Sequence, residues 1–188
     1  MYDPQRYNRN TLFTDDLLCH YMLESDLPEI KALCSTDRNA AKLCQSSAFW
    51  NKKMMYDNLP IYQQYNNMTE YQRVMEAVNK ANEIDLDNDI LDFTLRNEDL
   101  TLIFNNILLD DDSINELSTY DTTLYNRQDI KISKTLYFYD ILVDVKVRGS
   151  GPEVFLFRFN KKDIQQIIIN LFYYYPYLNF SIYIINDW

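Results

Sequence analysis

Residues suited to capping a helix recur about every ten positions through the first part of the chain, and that spacing limits what it can fold into. Thr14 precedes Asp15 and Asp16, whose charges suit the positive end of a helix, and Leu17, Leu18, Met22 and Leu23 supply an apolar face. A helix from about Asp15 to Leu23 follows. Asp26 repeats the device, with Pro28 in the first turn and Glu29 three residues on, ahead of Leu27, Ile30, Leu33 and Cys34. Asp37 caps a third segment carrying Ala40, Ala41, Leu43 and Cys44. Ser46 or Ser47 caps a fourth with Phe49, Trp50, Met54 and Met55. Helices this short are not stable alone, so they must fold back and pack on one another.

The order Asp26-Leu27, Leu33-Cys34, Leu43-Cys44 and Phe49-Trp50 resembles the F-box, a small helical module ending in a Trp-containing helix, in the shortened form found in large DNA viruses of amoebae. In that family the first helix opens with a Leu-Pro pair and an acidic residue. Here Leu12-Phe13-Thr14-Asp15-Asp16-Leu17-Leu18 stands in its place, with Phe13 where the proline falls. The resemblance covers about a quarter of the chain and rests on hydrophobic spacing. The same spacing is also that of an ordinary helical core, and Trp50 is a core residue under both readings.

The second half changes period. After Leu59-Pro60 the stretch to Asn67 is rich in Tyr, Gln and Asn and reads as a linker. Thr69 then caps a helix to about Asn82, with Tyr71, Val74, Met75 and Val78 inward and Arg73 and Lys80 outward. Ile90 to Leu95 reads as a short strand or a helical turn. Asp99 caps a helix from Leu100 to Leu109, Ser113 to Leu117 forms another, and a polar loop runs to Arg127. Leu136, Phe138, Ile141, Val143, Val145 and Val147 alternate as strand residues do. A turn at Gly149-Ser150-Gly151-Pro152 returns the chain through Val154 to Phe159 as an antiparallel hairpin. Asn160 caps a helix with Ile164, Ile167, Ile168, Leu171 and Phe172 inward, and Phe180 to Ile185 is a closing strand. The fold class is therefore α+β: an N-terminal F-box-like bundle of short helices, then a small mixed domain of hairpin, helix and closing strand. The domains are a polar arm at 1–10, the helical module at 11–58, a linker at 59–68 and the α+β domain at 69–188.

A net charge of −10 with no basic patch argues against nucleic acid; Lys52-Lys53 and Lys161-Lys162 are ordinary surface pairs. No apolar run reaches the length of a membrane span. The three cysteines, Cys19, Cys34 and Cys44, fall on apolar helix faces, and without a secretory leader they read as reduced packing groups of an intracellular protein. If the protein is viral, the compartment is the host cytoplasm or the virion.

The search for chemistry is mostly negative. Asp85-Leu86-Asp87-Asn88-Asp89 starts like a calcium loop but has Ile90 at the glycine position and Arg96 at that of the bidentate glutamate. Asp110-Asp111-Asp112 reads as a charged loop in place of a magnesium site. Adjacent helical residues point about 100° apart, so Cys19 and His20 do not make a nucleophile pair. A zinc site of His20 with the three cysteines lacks any paired Cys-x-x-Cys spacing. With two glycines in the chain, phosphate-cradling loops have no material. No enzyme, metal or cofactor is expected.

The F-box resemblance implies an adaptor whose helical module docks on a Skp-type component of a cullin-RING ubiquitin ligase while the α+β domain holds a target. The candidate partner-binding residues are Leu12, Phe13, Leu17, Leu18, Cys19 and Pro28. Leu27, Leu33, Cys34, Leu43, Cys44, Phe49 and Trp50 are the candidate structural core of the motif. The alternative is a viral structural or host-interaction protein that uses the same module for self-association or packing, with no ligase contact.

Overall fold

A computed structural model describes residues 15–95, 100–104, 107, 125–147, 153–178 and 181–184. The chain divides into two compact units, Met1–Met75 and Glu76–Trp188, and the division falls inside a helix.

The first unit is built from α1 (Asp15–Glu24), α2 (Leu27–Thr36), α3 (Arg38–Cys44), α4 (Ser47–Tyr56) and the first half of α5 (Met68–Asn82). Local capping explains most of their boundaries. Asp26 accepts from the Glu29 amide at 2.8 Å, with Pro28 in the first turn. Asp37 ends α2 and starts α3, accepting from the amides of Asn39 and Ala40 at 2.8 Å each. Each such cap contributes about 1 kcal/mol. α4 ends in a Schellman motif: Asn58 takes the left-handed conformation (φ 54°), the Leu59 amide donates to the Met54 carbonyl at 2.8 Å, and the Asn58 amide donates to that of Met55 at 3.2 Å. Leu59 and Met54 are both buried, as that motif favours.

Two local expectations change. Asn67, not Thr69, caps α5, accepting from the Glu70 amide at 2.9 Å. In the stretch expected as a linker, Leu59 and Asn66 are buried, and the Asn66 amide donates to the Ser47 hydroxyl at 2.8 Å. The Thr14 cap lies outside the described residues.

The second unit holds a five-stranded antiparallel sheet in the order β4-β3-β2-β1-β5, with β1 Asp89–Leu95, β2 Tyr125–Lys134, β3 Tyr139–Val147, β4 Glu153–Phe159 and β5 Ser181–Ile184. Register follows the alternation of side chains. Leu91, Ile132, Ile141 and Phe157 lie in one row across four strands and are all buried, while the next row on the opposite face is Asp92, Lys131, Leu142 and Leu156. A one-residue slip would expose the whole apolar set, so burial fixes the pairing. β4 and β5 run in the same direction at opposite edges, so the connection must cross the sheet. The helix α6 (Lys161–Tyr174) makes that crossing, with Ile164, Ile167, Ile168 and Leu171 buried. Asn160 caps it as expected, accepting from the Asp163 amide at 2.9 Å. The α+β class, with helices preceding the sheet, thus stands.

Three expectations about this unit are corrected. The polar loop expected up to Arg127 already contains the start of β2, whose apolar residues Ile130 and Ile132 alternate with Asp129, Lys131 and Ser133. Leu136 and Phe138 do not belong to a strand but to the turn between β2 and β3, closed by the Thr135 amide on the Phe138 carbonyl at 2.8 Å. Leu100–Phe104 is a 3-10 turn and not the start of an α-helix. Its cause is visible: the Asn170 amide side chain donates to the Ile103 carbonyl at 2.8 Å, and the Ile107 amide, which an α-helix would direct there, donates to the Phe104 carbonyl at 3.0 Å. The helix expected at Ser113 to Leu117 and the Asp110–Asp112 run lie outside the described residues.

Candidate docking surface

α1 presents two faces. Met22 is fully buried, whereas Leu17 is 53% and Tyr21 49% exposed. Spaced by four residues, Leu17 and Tyr21 are neighbours on the helix surface. His20 and Glu24, on the same side, pair at 3.3 Å and frame them with polar groups. Leu17 and Tyr21 thus form an exposed apolar pair on a helix whose opposite side is packed.

α1 is fixed from below by α4. Lys53, 3% exposed, donates from Nζ to the Leu23 carbonyl at 2.8 Å and to Asp57 Oδ1 at 3.0 Å, with Oδ2 at 2.9 Å. The Tyr71 hydroxyl donates to Asp57 Oδ2 at 2.6 Å. Burial first, and then that hydrogen bond, push the Tyr71 phenol above its ordinary range. The ammonium also lies 5.6 Å from the centre of the Tyr56 ring and 5.9 Å from that of Tyr71. A buried charge is tolerated only when paired and fully hydrogen-bonded, which this arrangement achieves. Lys53 is therefore not the ordinary surface lysine that the Lys52-Lys53 pair suggests.

Trp50 completes the support. It is fully buried, its indole N–H donates to the Cys44 carbonyl at 2.8 Å, and its ring lies 5.1 Å from Phe49 and 5.4 Å from Tyr71. Phe49 is buried with it. Leu27, Leu33, Cys34, Leu43 and Cys44, the remaining members of the motif, are half-buried.

Of the candidate partner-binding residues, Leu12 and Phe13 lie outside the described residues, Leu18 and Cys19 are half-buried, Leu17 is exposed, and Pro28 is exposed in the first turn of α2. The cysteines require a correction: Cys34 and Cys44 are joined as a disulfide, their Cα atoms 6.3 Å apart, and only Cys19 is free. The short turn at Asp37 folds α3 back beside α2, bringing the two cysteines within bridging distance. His20 engages Glu24 and not Cys19. Among the described residues, no group of three or more His, Cys, Asp or Glu side chains is placed to hold a metal ion.

The sequence points to Tyr71 as an inward helix residue and to Lys53 as a surface lysine, but not to Tyr21 or Asp57, nor to the hydrogen bonds that join Lys53, Asp57 and Tyr71. Tyr21 and Asp57 carry a signal, each lying four residues after a partner. Tyr71 is legible as an inward residue, but its bond to Asp57, fourteen residues away, is not.

In the second unit the acidic turn before β1 is engaged internally. Asp85 accepts from the Asp87 amide and the Asn88 side chain, at 3.1 and 2.7 Å. Asp87 receives Lys161 at 2.8 Å, Lys134 at 2.9 Å and the Tyr139 hydroxyl at 2.8 Å. The hydrogen bond from Lys161, then those from Lys134 and Tyr139, hold its carboxyl well below the ordinary aspartate range. A carboxylate already holding two ammonium groups and a phenol is a clasp between β2, β3 and α6, which explains why a calcium-like sequence here serves the fold. No helix among the described residues is long and apolar enough to cross a membrane. Comparison with protein-family models, curated proteins and solved structures gives no match.

Proposed function

We propose that the chain is an F-box-like protein-protein interaction adaptor, non-enzymatic, whose helical unit docks on a Skp-type component of a cullin ubiquitin ligase and whose sheet unit holds a target. The observation that supports this reading best is the exposed Leu17–Tyr21 pair on α1, backed by a helix end that Lys53 anchors. An apolar pair of this kind anchors an interface when a groove on the partner desolvates it. The resemblance of the Leu-Cys and Phe-Trp spacing supplies the identity of the partner.

A second reading takes the module as a viral structural or host-interaction protein without ligase contact. Phe13, standing where the family has proline, favours it. Size-exclusion chromatography of the purified chain mixed with a Skp-type adaptor separates the two. Co-elution of the native chain, lost in a folded Leu17→Asp variant, supports the adaptor. An unchanged elution volume on mixing rejects it in favour of the second reading.

A further inference from the structure

We infer that docking on α1 is coupled to protonation of His20, so that the chain holds its partner more tightly as pH falls through the range in which an imidazole becomes charged. The inference rests on the docking reading above and adds its regulation. The exposed side of α1 carries Leu17, His20, Tyr21 and Glu24, at positions i, i+3, i+4 and i+7, the spacing by which a helix in a groove is read. A partner that desolvates Leu17 and Tyr21 therefore desolvates His20 and Glu24 as well. The polar pair is part of the contact.

Glu24 is the residue that makes this contact depend on charge. Its Oε1 lies 3.3 Å from His20 Nε2, and with side chains 54% and 66% exposed both groups are solvated in the free chain. Glu24 is also the last residue of α1, at the negative end of the helix, where a carboxylate is disfavoured and a cation suits. Asp16 stands one turn before His20 on the same side, so the ring lies between two acidic positions. Two helices packed on α1 bring charges of their own: Arg38 and Lys42 on α3, and Lys52 and Lys53 on α4. Lys53 is committed to the Leu23 carbonyl and to Asp57, and the other three are exposed. His20, the sole histidine of the chain, is thus the cation that α1 itself offers Glu24.

Taking a lone carboxylate out of water costs more than taking out one paired with an imidazolium. With the ring neutral, a groove closing over α1 buries Glu24 without a charged partner. With the ring protonated, it buries a pair whose charges cancel. The docked state therefore favours the protonated ring, and docking takes up a proton. Linkage fixes the sign: the added affinity is present in full below the ordinary imidazole range and is lost as pH rises through the value the ring has in the complex.

Isothermal titration calorimetry of the full chain with a purified Skp-type adaptor tests this, at about pH 5.5 and about pH 7.5 in buffers of different ionisation enthalpy. Affinity should be about fivefold higher at the lower pH, with proton uptake on binding. Both effects should vanish in His20→Gln, and also in Glu24→Gln, which removes the charge that needs pairing. Far-UV circular dichroism checks that each variant is folded. Equal affinity at the two pH values, affinity that rises with pH, or a pH dependence that persists in folded His20→Gln overturns the inference and leaves the docking reading standing. Absence of binding at both pH values overturns the two together.

Discussion

In the helical unit the largest buried side chain, Trp50, shares its surroundings with a buried ammonium, Lys53, and a carboxylate, Asp57. In the sheet unit the covered face is apolar from Leu91 through Ile132 and Ile141 to Phe157, and the ion pairs of Asp87 and Arg158 stand in solvent. The difference follows from element type. Short helices bury narrow faces and need polar cross-links to fix how they pack, whereas a sheet specifies its partners by register along whole strands. The first unit should therefore be sensitive to single polar substitutions and the second to apolar ones.

Substitutions in the two cores test the frame of this comparison. Trp50→Ala should cost about 3–5 kcal/mol and Ile141→Ala about 2–5 kcal/mol, both read from urea denaturation. A smaller loss at Trp50 than at Ile141 would mean the helical core is looser than its burial indicates.

Asp57→Ala sharpens the contrast. It strands the Lys53 charge with only the Leu23 carbonyl, at a cost of about 3 kcal/mol. Asp140→Ala, which releases the exposed Arg158, should leave the denaturation midpoint where it was. Equal effects at Asp57 and Asp140 would remove the distinction between the units.

What could be read from sequence follows the same division. Asp26, Asp37 and Asn160 act on amides three residues away, so their roles are visible in a short window. The hairpin of β3 and β4 is visible because the alternating Ile141, Val143, Val145 and Val147 and the apolar run Val154 to Phe157 flank the sequence Gly149-Ser150-Gly151-Pro152, which itself lies outside the described residues. The i,i+4 spacing of Lys53 and Asp57 suits an exposed pair equally well; what buries Lys53 are groups on α1 and α5, thirty residues before it and eighteen after. β2 is hard to see in the sequence because Gln128, Asp129, Lys131, Ser133 and Lys134 outnumber Ile130 and Ile132, with Asp129, Lys131 and Ser133 on the open side and Gln128 buried among the apolar row. For the candidate site, Leu17 was legible from helical spacing. That α1 is anchored through a buried lysine was not.

The disulfide belongs to the helical unit alone. Opening the Cys34–Cys44 bridge releases a constraint across a ten-residue separation, for which chain entropy gives about 3 kcal/mol. The midpoint should fall when reductant is added and stay unchanged in Cys34→Ser. Identical midpoints with and without reductant would show that the native chain carries free thiols in solution.

Acid gives the smallest effect and locates it in the sheet unit. The Asp87 carboxyl titrates lower in the folded chain than its ordinary value of 3.8, so its contribution is present above that value and is lost as pH falls through the folded pKa. Lys161→Ala removes its strongest hydrogen bond and should flatten stability below pH 3.8, measured by thermal melting across acid buffers. An unchanged acid slope would mean that the clasp does not couple Asp87 to folding.

The most direct measurement is amide hydrogen exchange on the full chain with and without a Skp-type adaptor. Residues 15–24 should gain protection when the adaptor is present, centred on the Leu17–Tyr21 turn, and Leu17→Asp should abolish the gain. Protection appearing elsewhere with α1 unchanged, or no change anywhere, would contradict the assignment of α1 as the docking surface.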